Sequence, residues 1–142
     1  MTYFDSCYLA KLYLREPDSP AVRARAAERG DLASCAIAWG EVLATFHRHL
    51  RKGRLAARDF RLLALQLEAD VRSGLWTVLP VTSGLVEAQA RRMARLPDSV
   101  FLRAADALHL TCAVEAGAKE IYSNDRRLVA AAPHFGLRAV SL

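Results

Sequence analysis

Short strand-like segments alternate with helical patterns from one end of the chain to the other, and that alternation leaves few folds open. Thr2–Phe4 is a brief apolar run that meets an acid at Asp5, and Cys7–Leu14 then carries apolar residues at helical spacing. Ser19-Pro20 marks a helix start, and Gly30 lies just past its end. Leu32–Ala36 reads as a second strand, and the next helix places Trp39, Val42, Leu43, Phe46 and Leu50 on one face before Lys52-Gly53. A helix from Leu55 to Arg72 stops at Ser73-Gly74, and Leu75–Val81 is a third strand. Thr82-Ser83 offers caps for a helix reaching Leu96, Pro97-Asp98-Ser99 breaks the chain, and another helix covers Phe101–Ala116. Glu120–Ser123 is a fourth strand, Arg126–Ala132 a short helix ended by Pro133, and Leu137–Leu142 a fifth strand. No internal repeat is present. The order predicts an α/β fold in three layers, α/β/α, with a central parallel sheet of about five strands and right-handed crossovers. At 142 residues the chain is long enough to bury its own core, so a single domain over 1–142 is expected.

In such a sheet the ligand crevice opens beyond the carboxyl ends of the strands, where strand order reverses. Asp5 and Asp125 each stand within a residue or two of a predicted strand end. If the first and fourth strands are neighbours, these two carboxylates face each other across the crevice. Asp106 interrupts the most apolar helix of the chain, Leu102–Leu110, where an unpaired carboxylate is costly to bury. Either Arg103 or His109, one helical turn away, compensates it, or a metal ion does. Glu41 has mostly small helix neighbours, so it lies either in a recess or on the polar side of its helix. Asp125 has an ordinary role open to it as the cap of the helix that follows.

Each acid alone has a plain explanation; the set is more telling, because different structural contexts deliver carboxylates to one predicted edge. Mg2+ and Mn2+ are held by a few carboxylates plus water, with substrate phosphate completing the shell. Such an ion supplies a nucleophilic hydroxide and neutralises charge in phosphodiester hydrolysis. The chain has no P-loop, GxGxxG, GxSxG elbow or HExxH, which sets those chemistries aside. His47, His49, His109 and His134 share no zinc-ligand spacing with the cysteines and read as surface or supporting residues.

A net charge of +5 favours polyanionic partners. Arg48, Arg51, Lys52 and Arg54, and again Arg91, Arg92 and Arg95, are either RNA contacts or a solvated helix face. Arg103 is placed to contact a scissile phosphate or to fix a carboxylate. No apolar run approaches the roughly 20 residues of a membrane span, and the N-terminus lacks the basic and apolar regions of a secretory signal. Cys7, Cys35 and Cys112 read as buried free thiols suited to a reducing compartment, so a cytoplasmic location is expected.

With these residues in hand, the chain resembles the PIN-domain nucleases and, in size and layout, the VapC toxins of bacterial type II toxin-antitoxin modules. Tyr3-Phe4-Asp5-Ser6 is similar to the family's first strand and its metal-binding aspartate, and Glu41 in Ala38-Trp39-Gly40-Glu41-Val42 to its second acid. Asp106-Ala107-Leu108-His109-Leu110 resembles the block that carries the third acid, and Ser123-Asn124-Asp125 the last one. The aromatic pair Tyr3-Phe4 and the bulky Tyr8 depart from the pattern. The resemblance implies Asp5 and Asp106 as principal ligands of Mg2+ or Mn2+. Glu41 and Asp125 would complete the cluster and orient water, with Ser6, Arg103, Ser123 and Asn124 in support. It also implies an RNA substrate, a homodimer, and a cognate antitoxin whose C-terminal segment crosses the groove. The expected function is a metal-dependent endoribonuclease acting as the toxin of such a pair. The competing reading is a non-catalytic binding protein whose acidic cleft only receives a partner's basic side chains.

Overall fold

The structure is a computed structural model that describes residues 1–142. In chain order the elements are β1 (Thr2–Phe4), α1 (Ser6–Tyr13), α2 (Ser19–Arg29), β2 (Leu32–Cys35), α3 (Ile37–Arg51), α4 (Ala57–Ser73), β3 (Thr77–Leu79), α5 (Ser83–Met93), α6 (Ala104–Glu115), β4 (Glu120–Tyr122), α7 (Arg126–Ala131) and β5 (Arg138–Val140). All five strands pair in parallel in the order β3-β2-β1-β4-β5. The chain thus steps outward from β1 in one direction and then, through α5 and α6, returns to its other side.

Strand residues point alternately to the two faces, and both faces are covered. Tyr3 and Ile121 face a core built with α5, α6 and α7, which includes Leu85, Leu110 and Leu128. Phe4 and Tyr122 face the opposite core, with Tyr8, Val42, Phe46, Leu67 and Trp76 from α1, α3, α4 and the approach to β3. The expected three-layer α/β/α order therefore holds. No helix is long and apolar enough to cross a membrane.

Several expected boundaries shift. The third strand contracts from Leu75–Val81 to Thr77–Leu79, because Leu75 is exposed and Pro80 has no N–H to give a ladder. The helix expected from Phe101 begins only at Ala104. Extended backbone at Arg103 lets Leu102 reach the core, while Phe101 stays outside with the Arg127 guanidinium 4.4 Å from its ring centroid. Pro133 does not simply end a helix; it sits early in a 3₁₀ turn over Ala132–Phe135, where its missing N–H is no loss. Cys35 and Cys112 are buried as expected, but Cys7 is exposed: it lies in the first turn of α1, at the edge of the sheet rather than on its face.

Candidate functional site

Strand order reverses between β1 and β4, so the crevice expected beyond the strand ends opens there. Asp5 follows β1, and its N–H bonds the Tyr122 carbonyl of β4 at 3.1 Å. Three helices begin at this edge, and each presents an aspartate from its N-terminal end. Asp5 caps α1, accepting the Tyr8 N–H at 2.8 Å. Asp125 caps α7, accepting the N–H groups of Arg127 and Leu128 at 2.8 and 3.2 Å. Asp106 stands in the first turn of α6. Unpaired N–H groups and the helix dipoles favour negative charge at all three places. Glu41 comes from the second turn of α3. The four acids line one open cleft of about 500 Å³, together with Ser6, Cys7, Arg48, Arg103, His109 and Asn124.

Asp5 is the most deeply placed of the four, at 4% exposure. Burial pushes its carboxyl above the usual carboxylate range, although hydrogen bonds from Ser123 and the Tyr8 N–H and the nearby His109 pull the other way. Ser123 is fully buried; its hydroxyl donates to Asp5 and accepts the Asp125 N–H at 3.0 Å, which ties the two caps together. Asn124 accepts the Tyr8 hydroxyl at 3.0 Å and donates to Asp18 at 2.7 Å, where Lys11 also pairs.

Arg103 and Asp106 satisfy one another, as one of the plain accounts of Asp106 requires. The Arg103 guanidinium reaches the Asp106 carboxylate through Nε at 2.9 Å, and through Nη2 it reaches Asp125 at 3.1 Å. His109, the other candidate partner for Asp106, turns elsewhere. Its Nε2 lies 2.8 Å from Glu41 Oε2, and its Nδ1 lies 3.0 Å from the Tyr3 hydroxyl. The Glu41 carboxylate can only accept, so Nε2 carries a proton toward it; when the imidazole is neutral, Nδ1 accepts the Tyr3 hydroxyl proton, while the Tyr3 oxygen accepts the Cys35 N–H at 3.1 Å. Glu41 is therefore in a recess, not on the polar side of its helix. Burial raises its pKa, but His109, Ser6 and Arg103 outweigh that and hold it below the usual range.

The Tyr3–His109–Glu41 chain is the part of the site that residue patterns miss. A histidine one turn from Asp106 in an otherwise apolar helix is the available signal, but only the sheet shows that Tyr3 faces it.

The donor set suits a hard divalent cation: it is all carboxylate oxygen, and a positive group, the Arg103 guanidinium, already bridges two of its members. No three acidic, imidazole or thiol groups close around one point. An ion of this kind is held by one or two carboxylates with water and substrate oxygens, so a closed protein cage is not needed.

A family model described as PIN domain matches residues 2–132. A search of curated protein sequences gives no match. Among solved structures, the fold is similar to VapC20 of Mycobacterium tuberculosis, described as a toxin that cleaves the sarcin-ricin loop, with a TM-score of 0.72 and 19% identity over 92% of this chain and 95% of that one. It is similar to FitAcB from Neisseria gonorrhoeae with a TM-score of 0.78 and 15% identity over 98% and 96% of the two chains. FitAB bound to an IR36 DNA fragment gives 0.71 and 13% identity over 99% and 94%.

Proposed function

This chain belongs to the PIN domain family, and from that premise we propose that it is a divalent-metal-dependent endoribonuclease, the toxin of a toxin-antitoxin pair. The observation that carries the reading is the convergence of Asp5, Glu41, Asp106 and Asp125 on one cleft at the point where strand order reverses. The likeness in fold to the VapC20 toxin agrees with it.

Asp5 and Asp106 are the proposed ligands of Mg2+ or Mn2+, which, when bound, supplies an acidified water and neutralises charge on the phosphate. Glu41, kept ionised by His109, is positioned to orient and accept a proton from the attacking water. Asp125 holds Arg103, whose side chain is half exposed and free to turn its donors toward a phosphate oxygen. Ser123 and Asn124 keep Asp5 and α1 in place. A small antitoxin covering the cleft, and a homodimer, complete the proposal.

Cleavage of a structured RNA by the purified protein, lost on chelation and restored by Mn2+, is the expected result. Asp5→Asn or Asp106→Asn protein that cuts at the wild-type rate overturns it. Chelator-insensitive binding without cleavage favours a cleft that only receives basic side chains.

A further inference from the structure

Residues 48–61, which join α3 to α4, hold six of the twenty lysines and arginines of the chain and one of its fifteen acids. This hairpin therefore carries the whole net charge of +5, and the rest of the chain is balanced. Arg48, Arg51, Lys52, Arg54, Arg58 and Arg61 are all exposed. None of them joins an ion pair. The arginines of α5 behave differently, since Arg91 and Arg92 are tied to Glu87 and Glu115.

Local folding accounts for only part of this pattern. The C-terminal end of α3 favours cations, which suits Arg48 and Arg51 in its last turn. The N-terminal end of α4 disfavours them, yet Arg58 and Arg61 stand in its first two turns, like charges one turn apart, with Asp59 the sole acid nearby. The charge is also held on a defined scaffold. The Gly53 and Arg54 N–H groups bond the Leu50 and His49 carbonyls at 3.0 and 2.9 Å, Gly53 supplies the positive φ of the turn, and His47 meets Phe60 edge to face. Arg48 forms part of the wall of the acidic cleft, so the basic strip begins beside the four carboxylates and runs outward along the hairpin.

We propose that the α3–α4 hairpin is a landing strip for the RNA backbone, gripping phosphates that flank the scissile bond without reading sequence. The proposal rests on the nuclease reading of the cleft. A cleft floored with carboxylates repels the polyanion it must cut, and a cationic strip at its wall offsets that repulsion and fixes the direction in which the strand leaves.

The test uses Asp5→Asn protein, so that RNA stays intact, and a labelled single-stranded RNA of about 20 nucleotides titrated over a series of salt concentrations. Adding Arg51→Gln, Lys52→Gln and Arg54→Gln together is expected to weaken binding about tenfold or more. It should also flatten the log K against log salt slope by about 2, roughly 0.7 for each lost phosphate contact. The same triple substitution in otherwise wild-type protein should lower cleavage of the RNA of about 20 nucleotides far more than cleavage of a dinucleotide, which fills only the cleft. Unchanged RNA affinity and slope in a variant that melts like its parent overturn the proposal. Loss of binding only to an acidic polyglutamate peptide overturns it too, in favour of a protein partner. If wild-type protein cuts no RNA but the triple variant still loses RNA affinity, the nuclease reading fails and the strip stands.

Discussion

The Nε2 atom of His109 lies 2.8 Å from Oε2 of Glu41, and this pair links the floor of the cleft to the core. Burial alone lowers the pKa of an imidazole, but Glu41, with Asp5 and Cys35 nearby, holds His109 above its ordinary value. Glu41 in turn is held below its own. A raised imidazole contributes stability that is present in full below its unfolded value near 6.5 and is lost as pH rises through its folded value. A lowered carboxyl contributes stability present above its unfolded value near 4.3 and lost as pH falls through its folded one. The pair therefore stabilises most between about pH 4.5 and 6.5. Glu41→Gln keeps an acceptor for His109 but removes the charge. Its stability deficit in urea unfolding is expected to peak in that window, at about 1 kcal/mol for a partly exposed carboxylate, and to shrink on both sides. A deficit that does not vary with pH contradicts this account.

Asp5→Asn is expected to abolish cleavage and to stabilise the fold. Burial raises the Asp5 carboxyl, so ionising it costs stability as pH climbs from the unfolded value through the folded one. Asparagine caps helices as well as aspartate does, and its amide accepts the Tyr8 N–H without a buried charge. A gain of about 1 kcal/mol, or roughly 3 °C in Tm, is expected near pH 7 and should vanish at acid pH. A variant less stable than wild type at neutral pH would show that the carboxylate is a net structural asset.

Arg103→Ala separates structure from site. The guanidinium is more than half exposed, so its ion pairs with Asp106 and Asp125 contribute at most about 1 kcal/mol and Tm should barely move. Its charge competes with a divalent ion for the same carboxylates. Mn2+ affinity measured by calorimetry without RNA is expected to rise severalfold while RNA cleavage falls. Weaker Mn2+ binding would mean instead that Arg103 holds the carboxylates in place for the ion.

Much of the layout was legible from residue patterns because it is local. Strand and helix periods, Gly and Pro punctuation and the cap at Thr82 suffice to predict alternating elements, and that alternation implies a parallel sheet. At Ser19-Pro20 the helix start is right but Asp18, not Ser19, stands at the cap, and the Ser19 hydroxyl donates back to the Leu14 carbonyl. The same local patterns put Asp5 and Asp125 at strand ends; that the two face one crevice needs β1 beside β4, which the structure supplies. What sequence leaves open is long-range. Whether Asp106 pairs with Arg103 or with His109 is decided by Tyr3, about a hundred residues away, whose ring faces α6 and takes the imidazole for itself. Cys7 looked buried because its neighbours are apolar, but the cap at Asp5 sets the phase of α1 and turns Cys7 outward.

Ser123 joins two of the acids through one oxygen, which makes its removal informative. Its hydroxyl donates to Asp5 and accepts from the Asp125 N–H, and no part of the residue is exposed. Ser123→Ala leaves a buried carboxylate short of a donor and a partly buried N–H without a protein partner, so a loss of about 1–3 kcal/mol is expected in denaturant unfolding. Part of that loss comes from the ionised Asp5. In the Asp5→Asn background the same substitution deprives a neutral amide rather than a charge, and its cost should fall by about half. Equal costs in the two backgrounds would show that Ser123 acts on the Asp125 cap alone. A smaller cost beside asparagine would place the hydroxyl with the Asp5 carboxylate, where it holds the most buried acid of the cleft ready at neutral pH.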